Sequence, residues 1–147
     1  ATGGLLSGSG ADGAKGLQIL LQTGGKAFVG IHNATDSCYD WPEYGEMLGG
    51  YFNGHPWHEK IRVKVKAPDP PAVARIPDGF ELTDEIYQFK NWQPEKVRVL
   101  MSLNMAKTAL KKPYHVPICW VKEYGKGRVM HMSLGHREDV WTNPTYQ

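Results

Sequence analysis

The chain is poor in cysteine and lacks a charge imbalance of either sign. Its two cysteines, Cys38 and Cys119, cannot form a disulfide framework, and both stand beside aromatic residues, which favours packing as small apolar side chains over a bridge. Seventeen basic and fifteen acidic residues leave a net charge of +2. That balance does not favour binding to nucleic acid or to an anionic membrane. No apolar run approaches the roughly 20 residues that a bilayer requires, so no membrane-spanning segment is expected.

Motifs for covalent and nucleotide chemistry are missing as well. Ser133 lies outside any Gly-x-Ser-x-Gly elbow, and Cys38 lies too far past the nearest predicted strand to sit on its turn. No Gly-x-Gly-x-x-Gly follows a strand, and the N-terminal glycines lack a phosphate-loop lysine. We therefore expect neither a covalent nucleophile nor a nucleotide cofactor. The basic residues at positions 60, 62, 64 and 66 alternate with apolar ones, which predicts the solvated face of a half-exposed strand.

The composition is that of one globular domain covering residues 1–147, with 41% hydrophobic and 22% charged residues. The chain begins Ala1-Thr2-Gly3-Gly4, without an initiator Met or a secretory apolar segment. This beginning is compatible with a removed leader or with a fragment. The sequence does not decide the compartment of the protein. A cytoplasmic location is open, and so is a periplasmic or secreted one after removal of a leader.

The pattern of apolar residues predicts an α/β fold. Residues 27–31 are apolar throughout, which predicts a parallel strand buried on both faces, and a helix carrying Leu17, Leu20 and Leu21 precedes it. Asp40 and Glu43 have the spacing of a capping box that opens a helix ending at Gly49-Gly50. A loop at 51–58, strands at 61–65 and 97–103, and a hairpin at 118–134 follow. The fold class is a mixed, largely parallel sheet with flanking helices.

Polar residues follow the predicted strands where ligands bind in open α/β sheets. His32 comes directly after the first strand, His136 comes just past the last strand, and His58 and Asp84-Glu85 lie in adjacent segments. Imidazoles with a carboxylate are a donor set for Zn²⁺ or another divalent metal, with an open position for water.

Each of these residues also has a purely structural explanation. A single histidine is more often hydrogen-bonded than metal-bound, and Asp84-Glu85 fits an ordinary acidic turn. The spacing His55-x-x-His58 is weak evidence without a helix. Trp57 fits either a wall for a sugar ring or loop packing. Three further residues are expected to be structural: His115, His131 and the strand residue Trp120.

The chain resembles the ThuA-like (trehalose-utilisation) family over nearly its whole length. The resemblance implies a fold similar to class I glutamine amidotransferases, with His32 at the turn where those enzymes carry cysteine and His136 matching their catalytic histidine. A histidine cannot form a thioester, so glutamine hydrolysis is not expected. Matching blocks are Lys26-Ala-Phe-Val-Gly-Ile-His32-Asn-Ala-Thr-Asp36, Trp41-Pro-Glu-Tyr-Gly-Glu46, Gly50-Tyr-Phe-Asn-Gly-His-Pro-Trp-His58, Thr83-Asp-Glu-Ile-Tyr-Gln-Phe89, Val97-Arg-Val-Leu, Tyr124-Gly-Lys-Gly-Arg-Val and Leu134-Gly-His-Arg-Glu138.

The family is linked to sugar catabolism, with trehalose and other glycosides as substrates by way of 3-keto sugars, and a metal in the site is plausible. Members usually start with an upstream strand–helix unit and finish with a further helix. Neither is found here, so we expect a chain truncated at both ends, with a partner segment or a homo-oligomer supplying the missing strand.

The leading hypothesis is a carbohydrate-processing protein that acts on a small-molecule sugar, as a metal-assisted glycoside or keto-sugar hydrolase or lyase. Two rivals stay open: a non-catalytic sugar-binding or regulatory module, and a fragment of a larger assembly. The expected catalytic residues are His32, His136 and Glu85; the expected metal ligands, with Zn²⁺ preferred, are His32, His58, Glu85 and His136; and the expected substrate-binding residues are Trp57, Tyr87, Asp36 and Arg137.

Overall fold

A computed structural model describes residue 16 and residues 21–67, 71–105 and 115–147. Two of the leucines assigned to the first helix, Leu17 and Leu20, lie outside the described residues. Residues 21–24 are helical, Leu21 is fully buried, and Gly25 follows with a φ of 60°. No helix among the described residues is long and apolar enough to cross a membrane.

Two sheets form the framework of the described residues. Six strands form a sheet with the order β1-β8-β7-β6-β3-β4, and β2 pairs with β5 in a small second sheet. Among the described residues, one short α-helix and two 3₁₀ helices lie between strands, and a second short α-helix follows β8. The strands are β1 (Ala27–Ile31), β2 (Tyr51–Phe52), β3 (Trp57–Val65), β4 (Phe80–Ile86), β5 (Phe89–Lys90), β6 (Arg98–Leu103), β7 (Pro117–Tyr124) and β8 (Gly127–Met132); the α-helices are α1 (Pro42–Leu48) and α2 (Glu138–Trp141); the 3₁₀ helices are His32–Thr35 and Pro94–Lys96.

The predicted mixed α/β class is confirmed, although less of the sheet is parallel than expected. Strand β1 pairs with β8 in parallel, whereas the other described pairings are antiparallel. The predicted hairpin at the C-terminal end explains part of this difference, because its tight turn joins β7 to β8, and such a turn can join only antiparallel strands.

The strand order places one set of strand ends at a common edge. Because β1 is parallel to β8 and the pairings alternate from there, β1, β8, β6 and β4 all run in one direction. Their carboxyl ends therefore meet at the same edge of the sheet, where the antiparallel strand β3 begins. The segments that follow β1 and β8 are thus brought together with the start of β3 and the end of β4.

Two apolar clusters cover the two faces of the sheet. Side chains alternate along a strand, so Val129 of β8 packs in a smaller cluster with α1, whereas Met130 and Met132 pack against the larger one. Helix α1 contributes Met47 and Leu48, both fully buried, and burial of such side chains contributes roughly 1.5–3 kcal/mol each.

Three local predictions need correction. Strand β1 is not covered on both faces, since Val29 is 54% exposed. Helix α1 starts with Pro42 in its first turn and ends at Gly49 as predicted, but its N-cap residue is Trp41 and no side chain caps it, so the Asp40 capping box is wrong. His58 belongs to β3 rather than to a loop, because β3 begins at Trp57 to pair with β4.

Other local predictions are confirmed. Both cysteines are free, and Trp120 is fully buried in β7. The basic residues of β3 stand on the open side of the strand, where the Lys60 ammonium lies 2.8 Å from the Glu81 carboxylate. The exposure of these basic side chains and the ion pair between β3 and β4 agree with the predicted solvated face.

Candidate functional site

Three residues from distant parts of the chain meet at the common edge of the sheet. His32 follows β1, Glu85 lies near the end of β4, and His136 follows β8. One potential ligand atom from each lies within 4.8 Å of the other two. Glu85 Oε2 is 3.5 Å from Nε2 of His32 and 3.3 Å from Nδ1 of His136. The sequence prediction that these three residues converge is therefore matched by the geometry.

The turn after β1 fixes both the position and the tautomer of His32. Its backbone has a φ of 46°, a left-handed conformation that is rare outside glycine and costs energy. Nδ1 lies 2.8 Å from the carbonyl oxygen of Ser133, which can only accept, so Nδ1 carries the ring proton. The lone pair of Nε2 consequently points toward the Tyr87 hydroxyl, 2.9 Å away.

Glu85 is the common partner of the cluster. It is only 8% exposed, and its second oxygen lies 3.6 Å from Nδ1 of His55. His55 was not predicted to belong to the site, because no helix places it beside His58. The structure nevertheless brings His55 to Glu85 from the segment before β3, while β3 carries His58 to its contact with His136.

His58 lies beside the cluster rather than within the group of three ligand atoms. It pairs with Glu85 in the β3–β4 register, which puts both side chains on one face of the sheet. Its ring packs edge-on against His136, with centroids 5.6 Å apart. The same two histidines border a cavity of about 600 Å³, which is lined by His58, His136, Arg137, Glu138, Asp139 and Thr142.

Asp84 is a part of the site whose role was not predicted, although the sequence analysis named it beside Glu85. Its carboxylate is fully buried and accepts hydrogen bonds from the backbone N–H groups of Gly135 (2.7 Å) and Arg137 (3.2 Å). These two residues flank His136. No local sequence pattern could reveal this contact, because Asp84 and Gly135 are 51 positions apart in the chain.

The residues proposed to bind substrate occupy different surroundings. Tyr87 is buried against His32, and burial, followed by the nearby Glu85 carboxylate, raises the pKa of its hydroxyl, which keeps it protonated. Asp36 is exposed and accepts a hydrogen bond from the Tyr39 hydroxyl at 2.5 Å. Arg137 faces the cavity but forms two hydrogen bonds with the Asp139 carboxylate.

Trp57 packs against the larger apolar cluster. It stands opposite Ile86 in the β3–β4 register, so the alternation of side chains puts it on the other face of β3 from His58.

The two histidines expected to be structural differ in their burial. His131 lies in β8 as expected and is fully buried, and this burial lowers its pKa to about 3. The ring therefore stays neutral, packed 4.5 Å from the Trp120 ring. His115 is exposed in the segment before β7.

The chemistry of the donor set fits a divalent metal. Two imidazole nitrogens and one carboxylate oxygen are the usual three protein ligands of a catalytic zinc site, which keeps its fourth position open. His32 donates its other ring proton to a backbone carbonyl, an arrangement common for metal-binding histidines. His32, Glu85 and His136 are thus able to hold such an ion.

Comparison with known proteins agrees with this architecture. The chain superposes on a ThuA-like protein from Bacteroides uniformis with a TM-score of 0.77 and 22% identity, covering 95% of this chain and 60% of the other. A ThuA-like protein from Parabacteroides merdae gives a TM-score of 0.65 and 17% identity, covering 86% and 55%. A cytoplasmic protein from Salmonella typhimurium LT2 gives 0.62 and 12%, covering 92% and 54%.

The chain therefore spans about three fifths or less of the length of these structures. No match is found among curated proteins. The family model described as "Trehalose utilisation" matches residues 8–147, almost the entire sequence. The chain belongs to the ThuA trehalose-utilisation family.

Proposed function

We propose that the chain processes carbohydrates at the cluster of His32, Glu85 and His136, with glycosides or 3-keto sugars as substrates. The observation that carries this proposal is the convergence of three ligand atoms within 4.8 Å at the strand-end edge of the sheet. Membership of the trehalose-utilisation family supports a carbohydrate as the substrate class. An open cleft of about 600 Å³ beside His136, lined by polar and charged residues, is of the size that small-molecule sites have.

A divalent metal, with Zn²⁺ preferred, is proposed for this cluster. Nε2 of His32, a Glu85 oxygen and Nδ1 of His136 would hold it, and His58, which already packs against His136, is the further candidate ligand. When bound, the ion would polarise a sugar carbonyl or hydroxyl and lower the pKa of a water molecule.

The residues themselves supply acid–base chemistry. A 3-keto group acidifies the neighbouring C–H bond, and a carboxylate or an imidazole is a suitable base for that proton. Glu85 is the buried carboxylate, whereas the side chain of His136 is about half exposed and borders both the cluster and the cavity. As the alternative to metal binding, we assign the base role to Glu85, and to a protonated His136 the delivery of a proton to the departing glycosidic oxygen.

The proposed substrate contacts surround this centre. Tyr87 stays protonated and can donate its hydroxyl to a sugar oxygen, while Arg137 lies at the cavity wall. Asp36 is proposed as an outer contact through its exposed carboxylate. Trp57 packs against the larger apolar cluster on the other face of β3, so no sugar contact is assigned to it. A sugar offers many hydroxyl groups, and such a polar lining can satisfy them.

Metal analysis and turnover together test this proposal. We expect one Zn²⁺ per chain in the wild-type protein, loss of most of that metal in His136→Ala, and retention in His115→Ala, whose histidine is exposed in the segment before β7. Turnover of 3-keto-glycosides should fall in parallel. Unchanged metal content together with unchanged turnover in His136→Ala would falsify the proposal.

Sugar titration separates the enzyme from the binding module. Calorimetry with a 3-keto-glycoside and with the parent glycoside measures binding, and chromatography of the same samples detects product. Binding by the wild-type protein without any product at saturating metal would select the non-catalytic module.

A further inference from the structure

The buried carboxylate of Asp84 has an unusual environment for a charged group. It is fully buried, and transfer of a carboxylate from water to a protein interior is costly unless hydrogen bonds compensate. Compensation comes from two backbone N–H groups, those of Gly135 and Arg137, one on each carboxylate oxygen. Both donors belong to the segment that follows β8.

The two donors flank His136 on either side. Gly135 has a φ of 128°, and its α-carbon is crowded by the Tyr146 hydroxyl, an Ile31 methyl group and the Trp141 ring, all within 3.1–3.2 Å of where a Cβ would lie. The Trp141 indole also donates to the Gly135 carbonyl at 3.0 Å. The Asp84 carboxylate therefore holds the backbone on both sides of His136, at Gly135 and at Arg137. Trp141 of α2 holds Gly135 as well.

We infer that Asp84 is a positioning residue, which fixes the backbone of His136 so that its ring reaches Glu85 and His32. Adjacent residues of β4 face opposite sides of the strand, so the neighbouring carboxylates of Asp84 and Glu85 have separate tasks. Glu85 faces the histidines directly, whereas Asp84 acts through the 135–137 backbone. The test of this inference by Zn²⁺ affinity rests on the proposed function, whereas its test by the position of the His136 ring does not.

The test is a double-mutant cycle between Asp84→Asn and His136→Ala. An asparagine keeps the shape of the side chain but replaces one acceptor oxygen with NH₂, so one of the two backbone bonds is lost. We expect Zn²⁺ affinity to fall by about 10- to 100-fold in D84N, the range for partners behind a metal ligand. In the H136A background, D84N should cause no further loss, since Asp84 acts through His136.

A matched control separates positioning from general destabilisation. Val140→Ala removes buried methyl groups from α2, in the same region, and keeps both the Asp84 carboxylate and the two backbone N–H groups that it binds. We expect it to lower the free energy of unfolding while leaving Zn²⁺ affinity unchanged. Equal loss of Zn²⁺ affinity in V140A and D84N at equal destabilisation would overturn the inference, and so would additive losses in the double mutant.

A readout without metal keeps the inference independent of the proposed function. The His32 and His136 ring centroids lie 5.4 Å apart, close enough for a nuclear Overhauser effect between their ring protons. We expect this signal in the metal-free wild-type protein and its loss in D84N; its retention in D84N would refute the inference even if the wild-type protein binds no metal. Asp84→Ser, measured in the same way, replaces D84N if that variant does not fold.

Discussion

Tyr87 and His32 are joined by a hydrogen bond of 2.9 Å between the phenol oxygen and Nε2, with ring centroids 4.3 Å apart. Because Nδ1 of His32 donates to the Ser133 carbonyl, Nε2 of the neutral ring is an acceptor and the phenol is its donor. Burial and the Glu85 carboxylate raise the pKa of Tyr87, which keeps the phenol protonated. The phenol therefore occupies the lone pair that a metal ion would need.

Replacing Tyr87 by Phe should strengthen metal binding. The ion no longer displaces a hydrogen bond worth about 0.5–1.5 kcal/mol, so Zn²⁺ affinity should rise by about 2- to 10-fold. Turnover of a 3-keto-glycoside should fall, because the variant cannot donate to the sugar. Competition with a chromophoric chelator measures the affinity. Tyr51→Phe, which loses a phenol bond to the Cys38 carbonyl outside the 3₁₀ helix that carries His32, is the control. Weaker Zn²⁺ binding in Y87F would show that the phenol supports the ligands instead of competing.

Gly135→Ala should damage the site more than its backbone cost alone explains. Its φ of 128° disfavours any side chain, and a Cβ would press on Tyr146, Ile31 and Trp141 at 3.1–3.2 Å. Gly25→Ala is the matched control, since Gly25 also has a positive φ but its nearest neighbour, a carbonyl oxygen, is 3.4 Å away. We expect each variant to lose about 1–3 kcal/mol of stability from the backbone, and G135A alone to lose Zn²⁺ affinity. Equal affinities in the two variants would contradict a role for this segment.

Much of the sheet edge could be predicted from local sequence patterns. An apolar run that turns polar at His32 marks the end of β1, and the hairpin pattern places His136 just beyond β8. Glu85 was selected beside Asp84 as a carboxylate in a segment adjacent to these strand ends, and the structure places it within β4, one residue before the end of the strand. These predictions succeed because strand ends leave a local signature and because the carboxyl ends of strands that run in one direction meet at one edge.

Contacts between distant segments explain what could not be predicted. Whether Trp57 faces the core or the rim depends on the register of β3 with β4, which sets the face of every residue in the strand. The role of Asp84 depends on a loop 51 positions away. Whether a face of β1 is exposed depends on whether another part of the chain packs against it. A run of apolar residues does not specify this packing.

The Arg137–Asp139 pair should make the cavity selective for neutral sugars. The guanidinium is held by the Asp139 carboxylate at 2.8 Å and 3.2 Å, which lowers the pKa of Asp139 and leaves little positive charge for an anionic ligand. Asp139→Asn should therefore raise the affinity for glucose 6-phosphate relative to glucose by about 1.5- to 5-fold, the scale of an exposed ion pair. Calorimetry at low and high salt checks this. Glu81→Gln, which removes another exposed ion-paired carboxylate, is the control; an equal change in both variants would refute the assignment.

His131 should make the fold sensitive to acid. Its pKa is lowered to about 3 by burial, whereas in the unfolded chain it takes up a proton near its ordinary value of 6.5. Between these two values the unfolded state binds the additional proton, so stability falls as the pH falls, by about 1.4 kcal/mol per pH unit over most of this interval. The ring packs between aromatic side chains, so His131→Phe keeps its shape and removes the proton. From pH 6.5 to 5.0, urea unfolding should show the wild-type protein losing about 1.6 kcal/mol more than the variant. His115→Phe, at an exposed position, should change that slope less, and parallel slopes for wild type and H131F would mean that the buried ring is protonated in the folded protein.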